Sequence, residues 1–231
     1  MQILLFIPAV IVFLYALYRL VKDDYIFIRK GISLEQTFDF AFIALWVGLI
    51  MSRALYLLIH LHKGENFFVD FISFKNGGLS LTGAILGGTL AVYLLSRYKR
   101  FPLGRLGDFL SLSLLYALPL VFLLNAVFAK KDQILLVFLN AIVYFVLLLF
   151  FMQFLYPKVM NRSLRDGMMS ILFLLLYSSI ALITSLLISL KNIQAFINPE
   201  NFLLLILFIV SIFLLIKQDR TSPRPRTIIR Q

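Results

Sequence analysis

From Gln133 to Tyr156 the chain runs for 24 residues without a formal charge, and six further apolar runs accompany it. A helix rises about 1.5 Å per residue, so some twenty apolar residues match a hydrocarbon layer roughly 30 Å thick. Backbone groups in lipid must be paired internally, and these runs show none of the short alternating segments of a membrane barrel. The expected fold is therefore all-α and polytopic. Seven transmembrane helices are predicted near Ile3–Leu20, Phe40–Leu61, Gly78–Ser96, Leu106–Phe128, Gln133–Tyr156, Met168–Leu190 and Phe202–Ile216. A mean hydropathy of +0.97 with 61% hydrophobic residues excludes a water-soluble domain, in which about half the residues are apolar.

The net charge of +11 would suggest nucleic acid in a soluble protein. Here the basic residues punctuate the apolar runs and read as topology instead. With the N-terminus outside, 16 basic residues fall in inner segments and five in outer ones, which predicts N-out and C-in. The first span has no basic residue before it and several after it, so it is read as a retained helix. One seven-helix domain is expected over 1–217, with a basic, proline-punctuated, disordered inner tail over 218–231. The outer loop around Phe67, Phe68, Phe71 and Phe74 is expected to lie in the interface, and Asn198-Pro199-Glu200 to start the last helix. Cysteine is absent, so any thiol chemistry must use a partner's sulfur.

Candidate functional groups are few. The sequence NGGLSLTGAILGG at 76–88 places Gly77 and Gly78 at a helix opening, where the hydroxyls of Ser80 and Thr82 join them. Gly83, Ala84, Gly87 and Gly88 follow on one smooth face that must meet another backbone or a ligand. Arg53 is the one full charge deep in a span, and an intramembrane arginine is either an anion site or a cation bonded to helix carbonyls. Tyr56 and His60, at i+3 and i+7, share its face. His60 could serve as a base, although an interfacial anchor accounts for it better, and better still for His62. By depth, Arg53, Thr82 and Asn125 are expected to meet in the outer leaflet, where a phosphate-bearing lipid could reach them. The Thr82 hydroxyl could instead bond its own preceding turn, and Asn140 is expected to tie helices together. GRLGDF at 104–109 is read as a helix start, with Arg105 obeying the topological rule and Asp108 facing the helix dipole. No metal site or cofactor is expected.

The stretches ISLEQTFDFAFIALWVGLIMSRALYLL at 32–58, NGGLSLTGAILGG and RYKRFPLGRLGDFL at 97–110 resemble the bacterial prolipoprotein diacylglyceryl transferases. The resemblance implies a bacterial plasma-membrane protein. It would transfer a diacylglyceryl group from phosphatidylglycerol to the cysteine of a prolipoprotein, with release of glycerol phosphate at the outer leaflet. It also implies a lipid-phosphate role for Arg53 and matches Gly77, Gly78, Ser80 and Gly83 to the family's GGxSFHGG stretch. Departures are visible: Thr82 stands for the family's histidine, Phe122 and Lys130 for the arginine and glutamate of GRxGNFxxxE, and Ala181 for a later arginine. Asn125 alone is kept from that second motif.

Two functional expectations follow, a transferase of this type and a catalytically degenerate relative that binds phospholipid or a lipoprotein precursor. The partners on either reading are phosphatidylglycerol or another anionic phospholipid and a prolipoprotein signal segment. A small transporter is disfavoured, because the spans carry neither paired charges nor matched broken helices.

Overall fold

A computed structural model describes residues 7–22, 24–60, 71, 78–127, 133–161, 163–189 and 198–220. Gly77, His62, Lys130, most of the outer loop and the tail from 221 lie outside the described residues. The described residues are helical, with no strand among them. In chain order the helices are α1 (Ile7–Val21), α2 (Tyr25–Arg29), α3 (Leu34–His60), α4 (Leu81–Lys99), α5 (Leu103–Ala126), α6 (Ile134–Met160), α7 (Met168–Ser189) and α8 (Pro199–Arg220). Helices α3, α5, α6, α7 and α8 are long and apolar enough to cross a membrane. Glycine, serine and threonine dilute the apolarity of α4, and α1 contributes 15 described residues.

Local signals set the helix boundaries. Ser33 and Gln36 exchange backbone and side-chain hydrogen bonds at 3.3 and 3.2 Å, a capping box that opens α3. Asp24 accepts from the backbone N–H groups of Ile26 and Phe27 and starts α2. Ser80 caps α4 through Gly83 N–H at 3.1 Å. Asn198 accepts from Glu200 N–H, and α8 begins at Pro199 as the Asn-Pro-Glu order predicts. Helix α8 runs on to Arg220, past the expected start of the tail. Within α6 the ladder widens to a π turn over Phe151–Leu155, just before Pro157.

Helix α5 is the hub, packed against α1, α6 and α7, while α3 pairs with α4 and α7 with α8. Leu106, Leu112, Leu115 and Leu118 of α5 are completely buried. The outward faces are equally apolar: Trp46, Leu58 and Leu135 are among the most exposed side chains, as expected where lipid replaces water. Asn140 of α6 accepts from the Thr184 hydroxyl of α7 at 3.0 Å, the helix tie expected of it.

Hydrogen bonds gather the helix ends into two groups. Asp24, Arg105, Asp166 and Gln218 lie at one end, and Ser52, Ser80 and Glu200 at the other. Successive long helices therefore run in alternate directions.

Candidate functional site

The glycine motif works first as a packing seam. A methyl group at Gly83 would stand 2.8 Å from the Met51 carbonyl oxygen and 2.9 Å from Ser52 Cα. At Gly87 it would meet Met51 Cβ at 2.6 Å, and from the opposite helix a methyl at Gly48 would reach the Ala84 carbonyl at 2.9 Å. Only hydrogen fits at these positions, so α3 and α4 approach backbone to backbone. Lipid offers no hydrophobic drive for helix association, and such close van der Waals contact supplies it.

That approach brings the start of α4 onto the C-terminal part of α3. The Ser52 hydroxyl donates to the Ser80 carbonyl at 2.8 Å, and Ser80 N–H returns a bond to the Ser52 carbonyl at 3.2 Å. One residue further along α3, Arg53 donates from Nη1 to the Gly78 carbonyl at 2.9 Å and lies over the Tyr56 ring, 5.8 Å from its centroid. The Tyr56 ring fills the space a side chain at Gly78 would need, so Gly78 is there to admit the ring. Arg53 is 2% exposed, which makes it a buried cation held by a carbonyl and an aromatic face.

Two further helices close on the same place. The Ser80 hydroxyl donates to Glu200 Oε1 of α8 at 2.7 Å while accepting from Gly83 N–H. Thr82 shares a 3.3 Å hydrogen bond with the hydroxyl of Tyr177 on α7, and both side chains are buried. The Thr82 hydroxyl thus ties two helices rather than bonding its own preceding turn. Arg53 and Tyr56 thus meet at Gly78, with Ser80, Thr82 and Gly83 following it into the start of α4. Chemically the cluster offers one cation, one carboxylate and several hydroxyls.

Asn125 does not join them. It sits near the end of α5 with its side chain exposed, and shares no hydrogen bond with Arg53, Ser80 or Thr82. His60 is also exposed, stacked on Tyr56 at 4.4 Å with Nδ1 against the Tyr56 carbonyl at 3.0 Å. Glu200 and Tyr177 are the members that sequence reasoning missed. Glu200 passed for a first-turn acid, and only the depth of Tyr177 in its span could have singled it out. Where the resemblance implies further cations, Phe122 stacks on Tyr144 with centroids 5.1 Å apart, and Ala181 packs against the core.

At the opposite end GRLGDF lies in the first turns of α5, the helix start that the sequence predicts, and its Arg105 and Asp108 are buried against other elements. Arg105 pairs with Asp24 at 2.6 Å, meets Asp166 at 3.3 Å and donates to the Val159 carbonyl. Asp108 caps a different helix, accepting from Gly167 N–H at 2.7 Å and Ser170 N–H at 2.9 Å at the start of α7. Gly104 lets this turn approach, since a methyl group there would lie 2.7 Å from the Asp166 backbone. The motif is a docking device for α2 and α7.

Comparison with known proteins covers the stretch that holds the glycine seam and Arg53. The sequence pattern described as prolipoprotein diacylglyceryl transferase matches residues 3–125. A phosphatidylglycerol–prolipoprotein diacylglyceryl transferase of Clostridioides difficile (strain 630) is 30% identical over 80 residues, 35% of this chain and 32% of that protein. The transferase of the same name from Bifidobacterium adolescentis is 32% identical over 95 residues, 38% of this chain and 27% of the relative. That of Clostridium kluyveri is 29% identical over 79 residues, 34% and 31% of the two chains. The matched stretch thus spans less than a third of each of these relatives. No solved structure matches. With its pattern covering more than half the sequence, from α1 through α5, this membrane protein belongs to the prolipoprotein diacylglyceryl transferase family.

Proposed function

We propose that this chain is a diacylglyceryl transferase of a bacterial plasma membrane, crossing it seven times with the Ser80 end outside and the Arg105 end inside. Its substrates are phosphatidylglycerol and the cysteine of a prolipoprotein. The observation that carries this reading is that Arg53 bonds the Gly78 carbonyl two residues before the Ser80–Glu200 pair at the start of α4. The planar fork of a guanidinium matches the oxygens of a phosphate. In the transfer, the cysteine sulfur bonds to the glycerol carbon as that carbon's bond to the phosphate oxygen breaks, and glycerol phosphate leaves with the electron pair. The thiol proton goes to the Glu200 carboxylate, directly or through the Ser80 hydroxyl. Arg53 faces the charge that develops on the leaving phosphate.

A second reading, a catalytically degenerate relative that binds lipid or a lipoprotein precursor, is favoured by a different observation. The places of the family's histidine and arginine hold the closed Thr82–Tyr177 and Phe122–Tyr144 contacts. Incubation of the purified protein with phosphatidylglycerol and a peptide bearing the prolipoprotein cysteine separates the two. A diacylglyceryl mass added to the peptide is expected. Folded protein that retains phosphatidylglycerol but adds no mass would establish the degenerate reading, and loss of retention in neither Arg53→Ala nor wild type would make Arg53 structural.

A further inference from the structure

The end of the bundle far from Ser80 carries a groove that neither reading uses. Its volume is about 750 Å³, and it is lined by Ile26, Arg29 and Lys30 of α2 and its cap and by Leu164, Arg165 and Asp166 from the α6–α7 connection. A second groove of about 360 Å³ shares Arg165 and Asp166 and extends to Leu214 and Lys217 of α8. Four cations from three separate elements therefore converge around one acid. Asp166 is already engaged by Arg105, which leaves the grooves strongly positive.

The walls are rigid. Asp24 caps α2 and grips Arg105; Gln218 donates to the Asp166 carbonyl at 3.1 Å, and Arg165 donates to the Gln218 carbonyl at 3.1 Å. The cations are thus presented by a frame anchored in the buried Arg105–Asp24 ion pair. Beside them, Ile28 of α2 is 65% exposed, and Ile171 and Leu214 line the second groove. Apolar side chains left bare next to a basic groove suit a molecule with a charged head and hydrocarbon chains. A soluble anion would use the cations and leave those side chains without a partner.

We infer that these paired grooves bind the headgroup of an anionic phospholipid in the leaflet opposite the Ser80 opening, with the acyl chains against α2 and α8. This occupant is distinct from the lipid proposed as substrate, and the inference does not depend on catalysis. Arg97 and Lys99 at the end of α4 lie at the same end of the bundle but line neither groove, so they report the general surface charge.

The test uses the full chain in nanodiscs of phosphatidylcholine doped with phosphatidylserine, with retained lipid counted by native mass spectrometry. Arg29→Gln/Lys30→Gln is expected to weaken phosphatidylserine retention about thirty-fold, since each basic residue near an anionic surface contributes about 1 kcal/mol. Arg165→Gln should act in the same direction, whereas Arg97→Gln/Lys99→Gln should leave retention unchanged. Equal losses in the groove and α4 variants would mean a diffuse positive field and overturn the site. Inorganic phosphate that binds the protein in pure phosphatidylcholine discs and displaces phosphatidylserine would assign the grooves to a soluble anion and overturn the lipid. Helicity and melting temperature of each variant identify any loss due to misfolding, and because Arg29 and Lys30 are exposed, their variant should melt like wild type.

Discussion

Two glycine-to-alanine substitutions five residues apart in α4 are expected to change stability in opposite directions. At Gly83 the added methyl group meets the Met51 carbonyl oxygen at 2.8 Å, Ser52 Cα at 2.9 Å and Leu55 Cβ at 3.0 Å. Two of these are backbone atoms that cannot swing aside, so α3 and α4 must part by several tenths of an ångström. Overpacking of this kind costs about 1–3 kcal/mol. Parting the helices also stretches the reciprocal Ser52–Ser80 bonds, each worth about 1 kcal/mol net. At Gly88 the methyl group meets only the Ala44 carbonyl at 3.6 Å, an ordinary contact. There the gain in helix propensity, about 0.5–1 kcal/mol for alanine over glycine, stands alone. Gly83→Ala should therefore destabilise the protein by about 2 kcal/mol, while Gly88→Ala should be neutral or stabilising. Titration of detergent-solubilised protein with sodium dodecyl sulfate, followed by brief proteolysis, measures both. The seam argument fails if Gly83→Ala unfolds with wild-type protein, or if Gly88→Ala is the more damaging of the two.

Two other outcomes follow from the buried polar groups. Arg105→Met or Asp24→Leu alone leaves an uncompensated buried charge and should cost about 3–5 kcal/mol, whereas the double variant should lose less than either; strictly additive losses in the same titration would contradict the ion pair. Glu200→Gln keeps an acceptor for the Ser80 hydroxyl but cannot take a proton, so peptide modification should fall by about 10²–10⁴ with unchanged melting and phosphatidylglycerol retention. Unchanged modification would remove Glu200 from the reaction while leaving the transferase reading intact.

Legibility from sequence varied with the range of the interaction involved. The Asn-Pro-Glu start is contained within a few residues, and the structure has it where the sequence places it. The small-residue face of α4 was equally plain, because lipid gives glycine nothing and a second backbone gives it close contact. Arg53 stood out because a charge inside an apolar run is rare. Depth arithmetic nevertheless brought Asn125 to the site, although its side chain is exposed. Distance along a helix axis says how deep a residue lies and nothing of the direction in which it points.

The sequence by itself determined that the chain is helical, membrane-embedded and hinged on a glycine seam, since length, apolarity and small-residue spacing are local properties. Tertiary structure alone decided the polar partners: Ser80 meets Glu200 120 residues away, and Arg105 meets Asp24 across 81. The physical reason lies in the solvent. A helix in water shows its inward face by contrast between apolar and polar residues, but lipid permits Leu58 outside and Leu115 inside with the same side chain. With that contrast gone, the facing of each helix is settled by the fit of the bundle, and with it the identity of every buried polar pair.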